Sequence, residues 1–105
     1  MYYVQRVTAD SIAVSGTGST AETTITVPAS FTPAAGGIYD ILLSAQIPAG
    51  TDGTIITITN GTEEGSLYQR FTGNYARARC LGCRKVLRVQ YLDDPAHYSL
   101  LGVRS

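Results

Sequence analysis

Cys80-Leu81-Gly82-Cys83 is the arrangement in this chain best equipped for chemistry, because two thiols at this spacing can share a zinc ion, cycle as a redox pair or close a disulfide. A closed zinc site needs a full tetrahedral ligand set, and the rest of the chain offers only His97 and scattered carboxylates, so another subunit would have to lend ligands. A thioredoxin-type pair needs a helix N-terminus to lower its thiol pKa, whereas Arg84-Lys85-Val86-Leu87-Arg88-Val89 alternates as a strand. Arg79, Arg84 and Lys85 would still favour thiolate. The pair therefore reads as two thiols in or beside a tight Gly82 turn, kept reduced in a cytosol. No cofactor and no metal are expected, with Cys80 and Cys83 the nearest the chain comes to metal ligands.

His97 is the only histidine. A general base works with an orienting carboxylate and a nucleophile placed by a pocket, and no nucleophile motif accompanies it, so it is expected at a surface or strand edge. Glu63-Glu64 and Asp93-Asp94 are adjacent in sequence, which in a strand sends them to opposite faces and in a turn toward water. Asp52 lacks the alternating acids of a calcium loop. Asn60-Gly61-Thr62 matches the glycosylation triplet, but without a secretory signal the Asn60-Gly61 pair reads as a type I′ hairpin turn. No enzymatic activity is expected.

The strongest polar asymmetry is the run from Arg70 to Arg88, whose cations are Arg70, Arg77, Arg79, Arg84, Lys85 and Arg88, with no acid among them. In an extended strand Arg77 and Arg79 fall on one face, where two guanidinium groups can grip carboxylates or phosphates. Tyr75 adds a half-wet aromatic, and together these residues are the candidate interface. Formal net charge is zero, which disfavours nucleic acid as the partner and favours an acidic protein surface, the chain's own acidic half included. The alternative is a solvated strand whose arginines neutralise neighbouring Asp or Glu.

That half is distinct. Residues 1–65 hold Arg6 against Asp10, Glu22, Asp40, Asp52, Glu63 and Glu64, a net −5, while residues 66–105 hold seven cations against Asp93 and Asp94, a net +5. Either strands from the two halves interleave and cancel locally, or copies dock head to tail. With 105 residues, 44% of them hydrophobic and 15% charged, the chain suits one domain with one core and carries fewer charges than the usual figure of about 25%. No apolar stretch approaches a membrane span and the start lacks a signal-peptide plan, so a protein made and used without secretion is expected.

The elements that must position these residues are strands. Thr54-Ile55-Ile56-Thr57-Ile58-Thr59 and Glu22-Thr23-Thr24-Ile25-Thr26-Val27 alternate with period two, placing Ile56, Ile58, Ile25 and Val27 inward. Ile38 to Ile47, bounded by Gly36-Gly37 and Pro48, reads as a central strand. Further strands are expected at Tyr2 to Val7, Ser11 to Val14, Ser66 to Phe71, Val86 to Tyr91 and Tyr98 to Val103. A brief turn is expected around Phe31 and Pro33. No window carries a helical period, and seven to eight short strands predict an all-β, single antiparallel β-sandwich or jelly-roll-like domain over residues 1–105, with a partly open barrel as the alternative.

Ile38 through Pro48 with Ser44-Ala45-Gln46-Ile47-Pro48-Ala49, the Thr/Ile strand, Ala76-Arg77-Ala78-Arg79 and Tyr98-Ser99-Leu100-Leu101-Gly102 together resemble small virion structural proteins of phages and prophages of gut Firmicutes. The likeness spans about two thirds of the chain, rests on strand and turn patterns, and departs from the cysteine-rich C-terminus of those proteins. It implies a capsid decoration or cement protein in the virion, made in the host cytoplasm, binding the major capsid protein or other virion proteins, often as a trimer. The alternative is a carbohydrate- or protein-binding β-sandwich module, which would present exposed, coplanar aromatics on one face.

Overall fold

The computed structural model describes residues 4–16, 21–43, 54–70, 72–78, 81 and 85–104. Their eight strands are β1 (Gln5–Thr8), β2 (Ser11–Ser15), β3 (Glu22–Thr26), β4 (Ile38–Leu42), β5 (Ile55–Thr59), β6 (Glu64–Gln69), β7 (Val86–Asp93) and β8 (Ala96–Arg104). Each lies within or overlaps a segment that alternation marks as a strand, and no α-helix occurs among the described residues. Tyr2, Tyr3, Phe71 and residues 44–47 of the expected central strand lie outside the described residues.

The strands form one sheet in the order β1-β4-β7-β8-β6-β5-β3-β2. The expectation of an antiparallel arrangement is corrected, since β1 with β4, β3 with β5 and β6 with β8 pair in parallel. The physical reason lies in the first segment. β1 bonds to β4 and β2 bonds to β3, yet only Ala9 and Asp10 separate them, with the Ala9 amide donating to Leu42 O at 2.8 Å and the Asp10 amide to Thr26 O at 2.7 Å. The sheet therefore curls until its two outermost strands are consecutive in the chain. A hairpin-only sandwich cannot bring one segment to both edges, whereas a curled mixed sheet can.

The concave side is the core. Val7, Ala9, Ile25, Val27, Tyr39, Ile41, Ile56, Ile58, Leu67, Leu87, Val89, Tyr91 and Tyr98 face inward, with Phe31 and Leu81 closing the ends of the cluster. Period-two alternation supplies these positions, because every second residue of a strand shares a face. Phe31 packs edge-on to Tyr39, ring centroids 4.9 Å apart, so the short turn around Phe31 and Pro33 is core in its own right. Gly65 sits where β6 approaches β8 closely, and a Cβ there would meet His97 Cα at 2.9 Å. Only a residue without a side chain fits that crossing.

The β5–β6 connection departs from a type I′ turn. Gly61 has φ of 94°, but among the described residues, Asn60 included, none other than glycine has positive φ, so Asn60 does not adopt the conformation that turn demands. Its side chain is used instead: Oδ1 accepts from the Thr62 and Glu63 amides at 2.9 and 2.7 Å, and Nδ2 donates to Phe31 O at 2.9 Å. Asn60 is buried, with its amide committed inward.

Candidate functional site

A hollow lies on the convex face where β6, β8 and the β7–β8 turn meet. It encloses about 460 Å³ and is lined by Tyr68, Arg70, His97, Leu92, Ser66 and Ser99, among others. Parallel pairing of Ser66 with His97 and of Tyr68 with Ser99 sets these four side chains as neighbours on one face, because Leu67 and Tyr98 between them turn into the core. The chain then reverses: Gly73 takes φ of 72° and donates to Gln69 O at 3.3 Å, and the Gln69 amide donates to Asn74 O at 2.8 Å. That reversal pairs Tyr75 with Tyr68 across an isolated bridge and stacks their rings at 4.7 Å and 24°.

Tyr68 is also edge-on to His97, with centroids 5.4 Å apart. The Tyr75 hydroxyl beside it, reinforced by burial, keeps the Tyr68 phenol protonated above its ordinary pKa of 10.0. His97 Nδ1 lies 2.7 Å from Pro95 O. A carbonyl oxygen can only accept, so Nδ1 is the donor of this bond. The site thus combines stacked phenols, an imidazole, a guanidinium and two serine hydroxyls around an apolar floor of Leu92, Pro95 and Ala96. Such a surface recognises by stacking and hydrogen bonding. The tyrosines form a face-to-face stack rather than a coplanar row.

A second cluster lies on the convex face of β4, β7 and β8. Asp40 is buried between apolar neighbours; Arg88 grips it with Nε at 2.8 Å and Nη2 at 3.1 Å, and Arg104 adds Nη2 at 3.2 Å. The Arg88 hydrogen bond, then the positive fields of Arg88, Arg104 and Arg6, hold the Asp40 pKa below its ordinary value against the opposing effect of burial. Interleaving of the two halves thus cancels charge at this point.

Of the residues expected at an interface, Arg70 lines the hollow and Tyr75 stacks on its Tyr68, both exposed. Arg77 bridges Ile55 at the start of β5, half-buried. Lys85 lies at the start of β7, where its amide donates to Arg104 O at 3.0 Å. Arg88 is committed to Asp40. Arg79, Arg84, Cys80 and Cys83 lie outside the described residues. Among the described residues no three His, Cys, Asp or Glu side chains converge as metal ligands.

No local sequence pattern pairs Tyr68 with His97, since 29 residues separate them and their contact depends on parallel pairing. The signal that could have paired Tyr68 with Tyr75 is the Gly73-Asn74 turn between them. Compared with protein-family models, curated proteins and solved structures, the chain matches none.

Proposed function

We propose that the protein is a non-enzymatic virion structural protein, a capsid decoration or cement protein that binds the major capsid protein, and that the Tyr68–Tyr75 hollow is its docking surface. The observation that carries this reading is the composition of the hollow: an exposed tyrosine stacked on a second one, with an arginine at its rim. Tyrosine and arginine dominate the anchoring positions of protein interfaces, because they bring large area and directed hydrogen bonds at small entropic cost. The curled sheet favours this mode of contact. Its outermost strands are tied to one another through a single segment, so a partner engages side chains on the convex face rather than adding a strand. The resemblance to phage virion proteins supplies the partner class, and with it a homo-oligomer, of which the trimer is the implied form.

The test is co-expression with a candidate major capsid protein from the same genome, followed by sedimentation of assembled shells and quantification of the chain in the pellet. The wild type should co-sediment with shells and be found in purified virions. Tyr75→Ala combined with Arg70→Glu should lower its content at least about tenfold, the effect of losing one anchoring residue. Gly102→Ala, which meets nothing within 4 Å, should leave it unchanged. A wild-type chain absent from shells, or a double variant that binds like wild type, would overturn the proposal.

A further inference from the structure

We infer that the chain associates head to tail with a second copy of itself, through an acidic end and a basic end that the fold builds at opposite ends of its strands. This does not depend on the capsid reading, and of the charged residues it uses only Arg70 also lines the hollow.

The acidic end gathers around the β7–β8 turn. Asp93 and Asp94 form the turn, and Ser66 pairs with His97, so Glu64, two residues earlier, comes level with Pro95 of that turn. Glu63 adjoins them: Tyr91 Oη donates to its Oε2 at 3.4 Å, and Glu63 and Asp93 both raise the Tyr91 pKa, after burial as the leading cause. Glu64, Asp93 and Asp94 are exposed, and Arg70 lines the hollow that this end borders. Arg6 is level with Asp40, along the sheet.

The basic end lies where those same strands finish in the other direction. Val86 pairs with Arg104, Lys85 precedes it, Arg70 follows the last pairing of β6 with β8 at Leu100, and Arg77 bridges Ile55 at the start of β5. Glu22, paired with Ile55, is the carboxylate at this end among the described residues. Arg70 and Arg77 make contacts of their own, and their charges belong to this end all the same. Arg104 shares its charge with Asp40.

Interleaving of strands pairs Asp40 with Arg88 and Arg104 at the middle of the sheet, while Glu64, Asp93 and Asp94 lie at one end of these strands and Lys85 and Arg104 at the other. Two copies carry no net charge and do not repel as wholes, while opposite ends attract when aligned. The contact uses different patches on its two partners, so it is heterologous and either closes into a ring or continues as a row. Either product fits the inference.

Sedimentation velocity and native mass spectrometry of the full chain decide it. Oligomers should form at about 0.01 M salt and dissociate at about 1 M, as the Debye length shrinks from about 30 Å to about 3 Å. Glu64→Lys with Asp93→Lys, and separately Arg77→Glu with Lys85→Glu, should each weaken self-association at least about tenfold, and an equimolar mixture of the two should restore it to within about threefold. Lys85 is the chain's single lysine. Carbodiimide treatment of wild type at low salt should accordingly yield amides joining Lys85 of one copy to Glu64, Asp93 or Asp94 of another, a readout that needs no variant to fold. A wild type that is monomeric at low salt, a mixture that fails to recover, or cross-linked oligomers lacking these pairs would overturn the inference.

Discussion

Replacing Asp40 by Asn tests how the fold tolerates a carboxylate inside an apolar strand. The side chain is 3% exposed and receives bonds of 2.8, 3.1 and 3.2 Å from Arg88 and Arg104. A charge-assisted bond is worth about 1.5–3 kcal/mol when intact, so simple addition over the three would suggest a loss of about 4.5–9 kcal/mol. That overstates the case. The arginine side chains are 45% and 55% exposed, so on losing the carboxylate they recover water, and the amide keeps an oxygen for one of the bonds. A net loss of about 2 kcal/mol remains, or roughly 10 °C in Tm for a domain of this size. The pH dependence sharpens the test. Asp40 has a folded pKa below its ordinary 3.8, held there first by Arg88, so its stabilisation is complete above the unfolded value and disappears as pH falls through the folded one. Urea titrations of wild type and Asp40→Asn should differ at about pH 7 and converge as the pH approaches about 2. Equal midpoints at neutral pH, or a deficit that persists undiminished in acid, would refute the reasoning.

Gly65→Ala should destabilise by about 1–3 kcal/mol, because its Cβ meets backbone at His97, while Gly102→Ala, with open space around it, should change stability by less than about 0.5 kcal/mol; thermal melts of the pair provide the contrast. Burial raises the Tyr98 and Tyr91 pKa values above the ordinary 10.0, with Glu63 adding to both, so their stabilisation is full below that value and is lost as pH rises beyond it. Absorbance titration should accordingly show these phenols ionising only as the circular-dichroism signal collapses; ionisation of all tyrosines in a folded protein near pH 10 would contradict their placement.

The strands were legible because period-two alternation of Ile, Val and Thr is a local property, and the eight segments it marks correspond to the eight strands observed. Pairing was not legible. Whether β6 meets β5 or β8, and in which direction, depends on contacts that no short window contains. Asp40 illustrates the limit: its arginine partners lie 48 and 64 residues away, so in sequence it reads as a polar interruption between Tyr39 and Ile41. Asn60-Gly61 shows the converse error. The dipeptide signals a turn correctly, yet the turn type follows from the side-chain bonds to Thr62, Glu63 and Phe31, which outcompete the left-handed backbone conformation. The candidate hollow was half visible: Arg70 and Tyr75 stand out by type, but their union with Tyr68 and His97 needs a parallel ladder.

The split first segment has a kinetic meaning. β1 and β2 must find partners on β4 and β3, strands that lie far apart across the sheet, so residues 5–15 have no complete docking place until the other six strands have assembled around the core. Long-range, partly parallel pairing of this kind is slow to form. The N-terminal segment thus acts as a final clasp, and a chain nicked or stalled before it fastens would present two hydrogen-bonding rims at once, the form in which a β protein is most prone to aggregate.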